Sequence, residues 1–444
     1  MDEMLDMIEM ALRAARQAGA EAADAVLIEG RALEVAVREG GTENIERSEG
    51  QDLGLRVFVR RSQAIVSMSK LDRDTIDQAA ARAVDMARAA PEDPYAGLAD
   101  PSQLTEDIPE LDLWDGREVN GDELTLLAKE AEDAALSVQG VTKSSGAGAS
   151  ASSRRVALGT SAGFHQSFRR SGFGFSVSVI AGEGTGMERD YDYSSAVHYG
   201  DLKPAAAIGK SAGERAVRRL KPRKMPSQRV PVVYDRRVSA SLIGHFAGAI
   251  SGPSVARGTS FLKDMMEKQV FADDINIMDD PLRRRGLGSR PFDAEGLAVR
   301  RMALAEKGVL KSFLLDQRSA RQLKLKPTGH ASRGTSSPPS PSPSNLYMDK
   351  GSQTFESLIG DIVQGFYVTE LLGMGVNGVT GDYSRGATGF WIENGRLAFP
   401  VSEVTIAGNL KDMYRNMSAA DDLEFKMATN APTIRVEGMT VAGA

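Results

Sequence analysis

Phe173, Phe175, Val177 and Val179 alternate with Gly174, Ser176 and Ser178. A strict period of two puts every apolar side chain on one side of an extended backbone, which only a half-buried β-strand satisfies. The same alternation returns at Leu33, Val35 and Val37. Residues 53–69, LGLRVFVRRSQAIVSMS, read as two more strand-like runs around a turn at Arg60–Gln63.

Helical spacing sits between these runs. Met4, Leu5, Ile8, Ala11, Leu12 and Ala15 form one apolar face, and Gly19 is a natural stop. Ile76, Ala80, Ala83 and Ala87 form another, with Asp72 or Asp74 as its cap and Pro91 beyond its end. Residues 122–137 and 203–220 give two further helices, and the small, polar run at 145–153 reads as a loop. The charged, proline-bearing KPRKMPSQ at 221–228 is the expected domain boundary. RVPVVYD then begins a second half of short strands, with ENGR at 393–396 as a hairpin turn. The expected fold class is α+β: an N-terminal α/β domain over 1–225 and a β-rich C-terminal domain over 226–444. A chain of 444 residues is too long for one ordinary core.

Composition excludes several chemistries. There is no cysteine, so no disulfide, thiol nucleophile or thiolate metal ligand exists. The four histidines, His165, His198, His245 and His330, are scattered, so no local two-histidine zinc motif is available. A net charge of −6 argues against a nucleic-acid partner, and the basic run at 215–224 reads as a solvated helix end. No apolar run is long enough to cross a bilayer, and the acidic, amphipathic N-terminus is not a secretory signal. The expected compartment is the cytoplasm.

Three motifs suggest chemistry and lack its context. Gly159-Thr160-Ser161-Ala162-Gly163 matches G-x-S-x-G, but strand-like sequence follows where a nucleophile elbow needs a helix. Gly373-Met374-Gly375-Val376-Asn377-Gly378 matches G-x-G-x-x-G, but its glycine-rich continuation cannot open a helix toward a pyrophosphate. Asp279-Asp280 would point to opposite faces of a strand, so the pair reads as a turn before Pro281. The Ser/Pro run at 334–345 reads as a flexible or polyproline-like loop, with a substrate-facing role as the alternative.

An ordered set of segments then stands out: GHFAGAISG, VARGTSFL, INIMDDP, a Ser/Pro loop ending in SNLYM, GVNGVTGDYSRGATGFWIENG and TIAGNL. In that order they resemble the TldD/PmbA family, in its PmbA (TldE) branch, over nearly the whole chain. The resemblance implies a cytoplasmic protein in a system where a TldD chain pairs with a TldE chain as a zinc metallopeptidase acting on peptides and unfolded proteins. In the TldD branch zinc is held by two histidines of an H-E-x-x-x-H helix and a later cysteine, with the glutamate as base. Metal-activated water is the chemistry such a set serves. Anchored on Arg257-Gly258-Thr259-Ser260, the two histidine positions fall on Ile243 and Gly248, and the glutamate position on Gly244.

The resemblance therefore implies no catalytic residue, metal ligand or cofactor in this chain, and zinc in a TldD-like partner. The expected role is to enclose the partner's metal and hold an extended peptide, with strand addition as a fitting mode. The residues expected to line that space are His245, Arg257, Ser260, Asn345, Leu346, Tyr347, Asp382, Tyr383, Ser384 and Gly386. Two other readings stand beside it: a lone hydrolase working through Ser161, and a binding regulator matching the branch's gyrase-modulator label. A homodimer is open as well.

Overall fold

The computed structural model describes residues 3–443. The first half runs α1 (Glu3–Gln17), β1 (Ala22–Arg38), β2 (Gly41–Val59), β3 (Ser62–Met68), α2 (Arg73–Ala89), α3 (Gly121–Leu136), β4 (Val141–Thr160), β5 (His165–Ala181), β6 (Glu188–Ala196) and α4 (Ala205–Arg218). Its strands form one antiparallel sheet in the order β3-β2-β1-β4-β5-β6. The alternation read from the sequence sets which face is buried. α1 and α2 cover one end of that face through Ile8, Ala11, Ile76, Ala80 and Ala83 against Leu27, Leu55 and Val57. α3 and α4 cover the other end against Val35, Val37, Phe175, Val177 and Val179. Asp72 caps α2 by accepting the Thr75 N–H at 3.0 Å, as its sequence position suggested.

One local expectation fails. Residues 145–153 are not a loop but the middle of β4, paired to β1 on one side and β5 on the other. Ala147 and Ala149 are small because α3 and α4 press on this part of the sheet. The same closeness shows between the helices: a Cβ added to Gly209 would lie 2.1 Å from the Ala131 carbonyl oxygen. Two flanking ladders outweigh the weak strand preference of Gly, Ala and Ser.

The second half runs β7 (Gln228–Tyr234), α5 (Arg236–Ala249), α6 (Gly252–Ala256), β8 (Ile277–Asp279), β9 (Met302–Glu306), β10 (Val309–Leu310), α7 (Gln317–Leu323), β11 (Ala331–Ser332), β12 (Ser340–Pro341), β13 (Leu346–Met348), α8 (Phe355–Ile359), β14 (Gln364–Leu372), β15 (Asp382–Glu393), β16 (Arg396–Asn409), α9 (Leu410–Arg415), β17 (Met417–Ala419), β18 (Thr429–Asn430) and β19 (Ile434–Ala442). The order β16-β15-β14-β7-β19-β17 closes into a barrel because β16 also pairs with β19. The Asn394-Gly395 turn between β15 and β16 has positive φ at both residues (50° and 74°), as a tight hairpin requires. The fold is α+β, and its second half is β-rich and contains the barrel. Among the described residues no helix is long and apolar enough to cross a membrane.

The opposite face of the first sheet meets the second half. Phe164 and Phe168 make edge-to-face contacts with Phe292 at 5.0 and 5.5 Å. Asp24 of β1 holds both Arg56 of β2 and Arg333, which precedes β12. The Ser/Pro run lies along this seam: a Cβ on Gly54 would fall 2.1 Å from the Thr335 carbonyl oxygen.

Candidate functional site

α5 starts directly after β7 because Asp235 ends the strand and caps the helix, accepting the Arg237 N–H at 2.8 Å. Tyr367 donates its hydroxyl to the same carboxylate. Arg237 reaches Asp190 of the first sheet at 2.8 Å, so the helix is tied to both halves. Leu242, Ile243 and Phe246 face the barrel core with Phe271, Phe366 and Trp391. The other side of the helix carries Gly244 and Gly248, both exposed, where an added Cβ would meet nothing within 4 Å. The three positions that the resemblance matched to a zinc motif thus hold one fully buried isoleucine and two glycines. Among the described residues no three His, Cys, Asp or Glu side chains gather in an arrangement able to hold a metal ion.

His245 lies beside the open glycine face. Its ring stands 6.1 Å from that of Tyr383, edge to face. Tyr383 and Arg385 are two residues apart on β15 and so point the same way. The Tyr383 hydroxyl interacts with Tyr234 and Arg385, while His245 Nε2 and Arg385 Nε are buried without a hydrogen-bond partner among the described residues. Such orphaned polar atoms cost about 1–3 kcal/mol each, and they mark positions where a ligand with hydrogen-bonding capacity would be stabilised. Burial and the nearby Arg385 charge hold the His245 pKa below its ordinary value, so the imidazole is neutral at pH 7. Burial raises the Tyr383 pKa and keeps its phenol protonated. Arg385 was not singled out by sequence, because one arginine on a strand gives no signal until the fold sets it against a histidine.

The remaining expected site residues divide. Arg257, Asp382 and Ser384 are exposed. Asp382 accepts from the Thr380 hydroxyl at 2.6 Å and Asn409 Nδ2 at 3.0 Å, which keep its carboxylate below the usual range. Gly386 faces the neighbouring strand: a Cβ there would lie 3.2 Å from Leu372 Cβ. Ser260, Asn345 and Leu346 are turned into the fold. Ser260 is buried and donates its hydroxyl to the Ala249 carbonyl at 2.5 Å, holding the end of α5. Asn345 clamps Gly288 N–H, Ser289 Oγ and the Asp280 carbonyl at 2.7–2.8 Å, and Leu346 is in the barrel core. Tyr347 accepts from Arg301 at 3.1 Å and packs on Phe425.

The Asp279-Asp280 pair is only partly the turn its sequence suggested: Asp279 ends β8, paired with Leu346 and Met302, and Asp280 leads into the turn by accepting the Leu282 N–H at 3.1 Å. Asp279 itself is fully buried and accepts from Ser344 N and Oγ at 2.7 and 2.6 Å, with His330 Nε2 at 3.2 Å. Both Ser344 and His330 address the carboxylate and not each other, so the trio is a clamp on the chain before β13. Ser161 sits in the β4–β5 hairpin turn, its Oγ accepting the Ala23 N–H at 3.0 Å. The glycine-rich 373–378 segment opens no helix.

Three family models match in series: the PmbA/TldA metallopeptidase domain 1 over residues 23–87, the central domain over 114–220 and the C-terminal domain over 227–443. The chain is 37% identical over 413 residues to the metalloprotease PmbA of Escherichia coli O157:H7, covering 93% of this chain and 90% of that one. It is 35% identical over 446 residues to the PmbA homologue of Haemophilus influenzae, covering 99% and 96%. A crystal structure from Bacteroides thetaiotaomicron, described as a proposed modulator of DNA gyrase, superposes with a TM-score of 0.92 at 26% identity over the whole of both chains. TldE from Thermococcus kodakarensis shares the fold, with a TM-score of 0.87 at 19% identity over 98% of this chain and all of that one. With matched domains running from the first sheet to the last barrel strand, this chain belongs to the PmbA/TldD metallopeptidase family.

Proposed function

We propose that this chain is the non-catalytic subunit of a TldD/TldE-type peptidase, holding an extended peptide and closing a space around a zinc ion carried by a TldD-like partner. The observation that carries the reading is α5. Where the resemblance places two histidines and a glutamate, the helix has a core isoleucine and two bare glycines. A zinc site needs three protein ligands with an open fourth position, and these residues do not fit one. The His245–Tyr383–Arg385 cluster offers hydrogen-bonding atoms and a positive charge instead, which suits binding better than metal-assisted hydrolysis.

Support for a partner comes from the end of β14 and the loop that joins it to β15. Leu372, Met374 and Val379 are 55%, 85% and 55% exposed, close in sequence to Tyr383. Large apolar side chains so displayed are what a partner surface covers. The hydrolase reading through Ser161 is weaker, since its Oγ accepts the Ala23 N–H of β1 and no helix follows it.

The test is elemental analysis and peptide cleavage with the chain alone and mixed with a TldD subunit. Negligible zinc and no cleavage alone, with chelator-sensitive cleavage in the mixture, is the expected result. Zinc at one per chain, or chelator-sensitive cleavage by the chain alone, overturns the reading.

A further inference from the structure

On the sheet face away from the four helices, Arg154 of β4 and Arg170 of β5 are direct cross-strand partners. Like charges placed opposite each other destabilise a ladder. Neither guanidinium is paired with a carboxylate among the described residues; Arg170 donates to the Leu287 carbonyl at 2.7 Å. Both line a cavity of about 290 Å³ between the sheet and residues 288–294 and 331–343. Arg290 lines it too, with its Nε buried and unpartnered while its Nη2 donates to the Ser342 carbonyl at 2.8 Å. The fourth arginine on the wall, Arg333, shares Asp24 with Arg56, so two cations there divide one anion. The lone carboxylate on the wall, Asp293, is already bound by the backbone N–H groups of Glu295, Leu297 and Ala331. Val26, Ile28, Val156, Leu158, Phe168 and Phe292 give it an apolar floor, and Ser289, Ser332 and Ser342 also line it.

This cavity has an excess of donors and positive charge over an apolar floor, with Arg290 Nε and Arg333 Nη2 buried and unpartnered. It opens past Arg154 and Arg170 into a shallow groove of about 590 Å³, floored by Gly30, Ala32, Gly50, Ser152 and Gly172. A Cβ on Gly30 or Gly50 would meet nothing within 4 Å. A chain can therefore lie close to the sheet there and end among the arginines. We infer that the Arg154–Arg170–Arg290 cavity is a carboxylate subsite, taking the negatively charged end of an extended peptide with its apolar last side chain. Paired, charge-assisted hydrogen bonds from guanidinium groups are the strong mode of carboxylate recognition.

The choice of a peptide as ligand rests on the proposed function, but the subsite does not depend on which chain holds zinc. The test reads binding by the isolated chain only, so loss of the subsite leaves the non-catalytic reading standing, and zinc in this chain would leave the subsite standing. The probe is an N-terminally fluorescein-labelled Ala-Ser-Ala-Gly-Val-Leu peptide, followed by anisotropy. Three forms are compared: free acid, C-terminal amide, and an amide with Glu in place of the Val. The free acid is expected to bind about ten-fold or more tightly than the plain amide, and Arg170→Met to abolish the difference. The Glu-bearing amide binding as well as the free acid would also support the subsite, with a side-chain carboxylate as its natural ligand. Arg154→Met, at an exposed position, keeps the test valid if Arg170→Met does not fold. Arg73→Met, on the exposed face of α2, should change nothing. Equal binding of acid and amide, binding of neither, or unchanged discrimination in both cavity variants overturns the inference.

Discussion

Replacing Asp24 by alanine should loosen the seam between the two halves. Arg56 Nε donates to Asp24 Oδ2 at 2.9 Å, and Arg333 contacts the other carboxylate oxygen. The side chains of Asp24, Arg56 and Arg333 are 2%, 5% and 0% exposed. Removing the shared anion leaves two guanidiniums facing each other away from water, and breaking a buried pair in this way costs about 3–5 kcal/mol. That is a factor of about 10²–10⁴ in the unfolding constant. With a urea slope of roughly 2–3 kcal/mol/M, the midpoint falls by about 1–2.5 M. Urea titration followed by far-ultraviolet circular dichroism measures this. Because Arg333 loses the carboxylate it contacts in the Asp24 variant, adding Arg333→Met should return part of the loss. A loss below about 1 kcal/mol, or costs that simply add in the double variant, would refute the coupling. Burial opposes ionisation of Asp24, but the two guanidiniums outweigh it and hold its pKa below the ordinary value. The stabilisation is therefore present above the unfolded carboxylate pKa and disappears as pH falls through the lower folded value.

Glu295 supplies the opposite sign. Burial and the neighbouring Asp293 push its pKa up to about 8, so the folded state loses stability as pH rises from the ordinary glutamate range to that value. Glu295→Gln, which keeps an oxygen for the Gln317 N–H now held at 2.8 Å, should raise the melting temperature at pH 8.5 more than at pH 5; equal shifts would show that the carboxyl is not strained. Asp279→Ala should cost about 3–5 kcal/mol, because Ser344 and His330 lose their common acceptor; hydrogen exchange over residues 344–348 should accelerate, and unchanged protection there would count against the clamp. Gly389→Ala should fail to give a stable barrel, since its Cβ would lie 1.8 Å from the Tyr367 carbonyl oxygen; a soluble variant with an unaltered melting temperature would contradict that geometry.

The sequence by itself settled what depends on local period and turn chemistry. Alternation at Phe173–Val179 and Leu33–Val37, the Asp72 cap and the Asn394-Gly395 hairpin are all set by neighbours in the chain, so they were legible without a structure. It also showed which chemistries were closed, since a chain without cysteine has no thiolate to offer a metal. What it could not give is set by distant partners. Residues 145–153 became strand because two ladders and two helices bear on them. Asn345 and Leu346 looked like lining residues and turned inward, because a three-residue strand at the core edge needs a clamp and an anchor. Arg385 joined His245, and Arg154 and Arg170 faced Arg290, through barrel closure and the packing of one half on the other. Charge excess in a cavity is a property of that packing: it exists only once residues far apart in sequence share one space with too few anions to balance them.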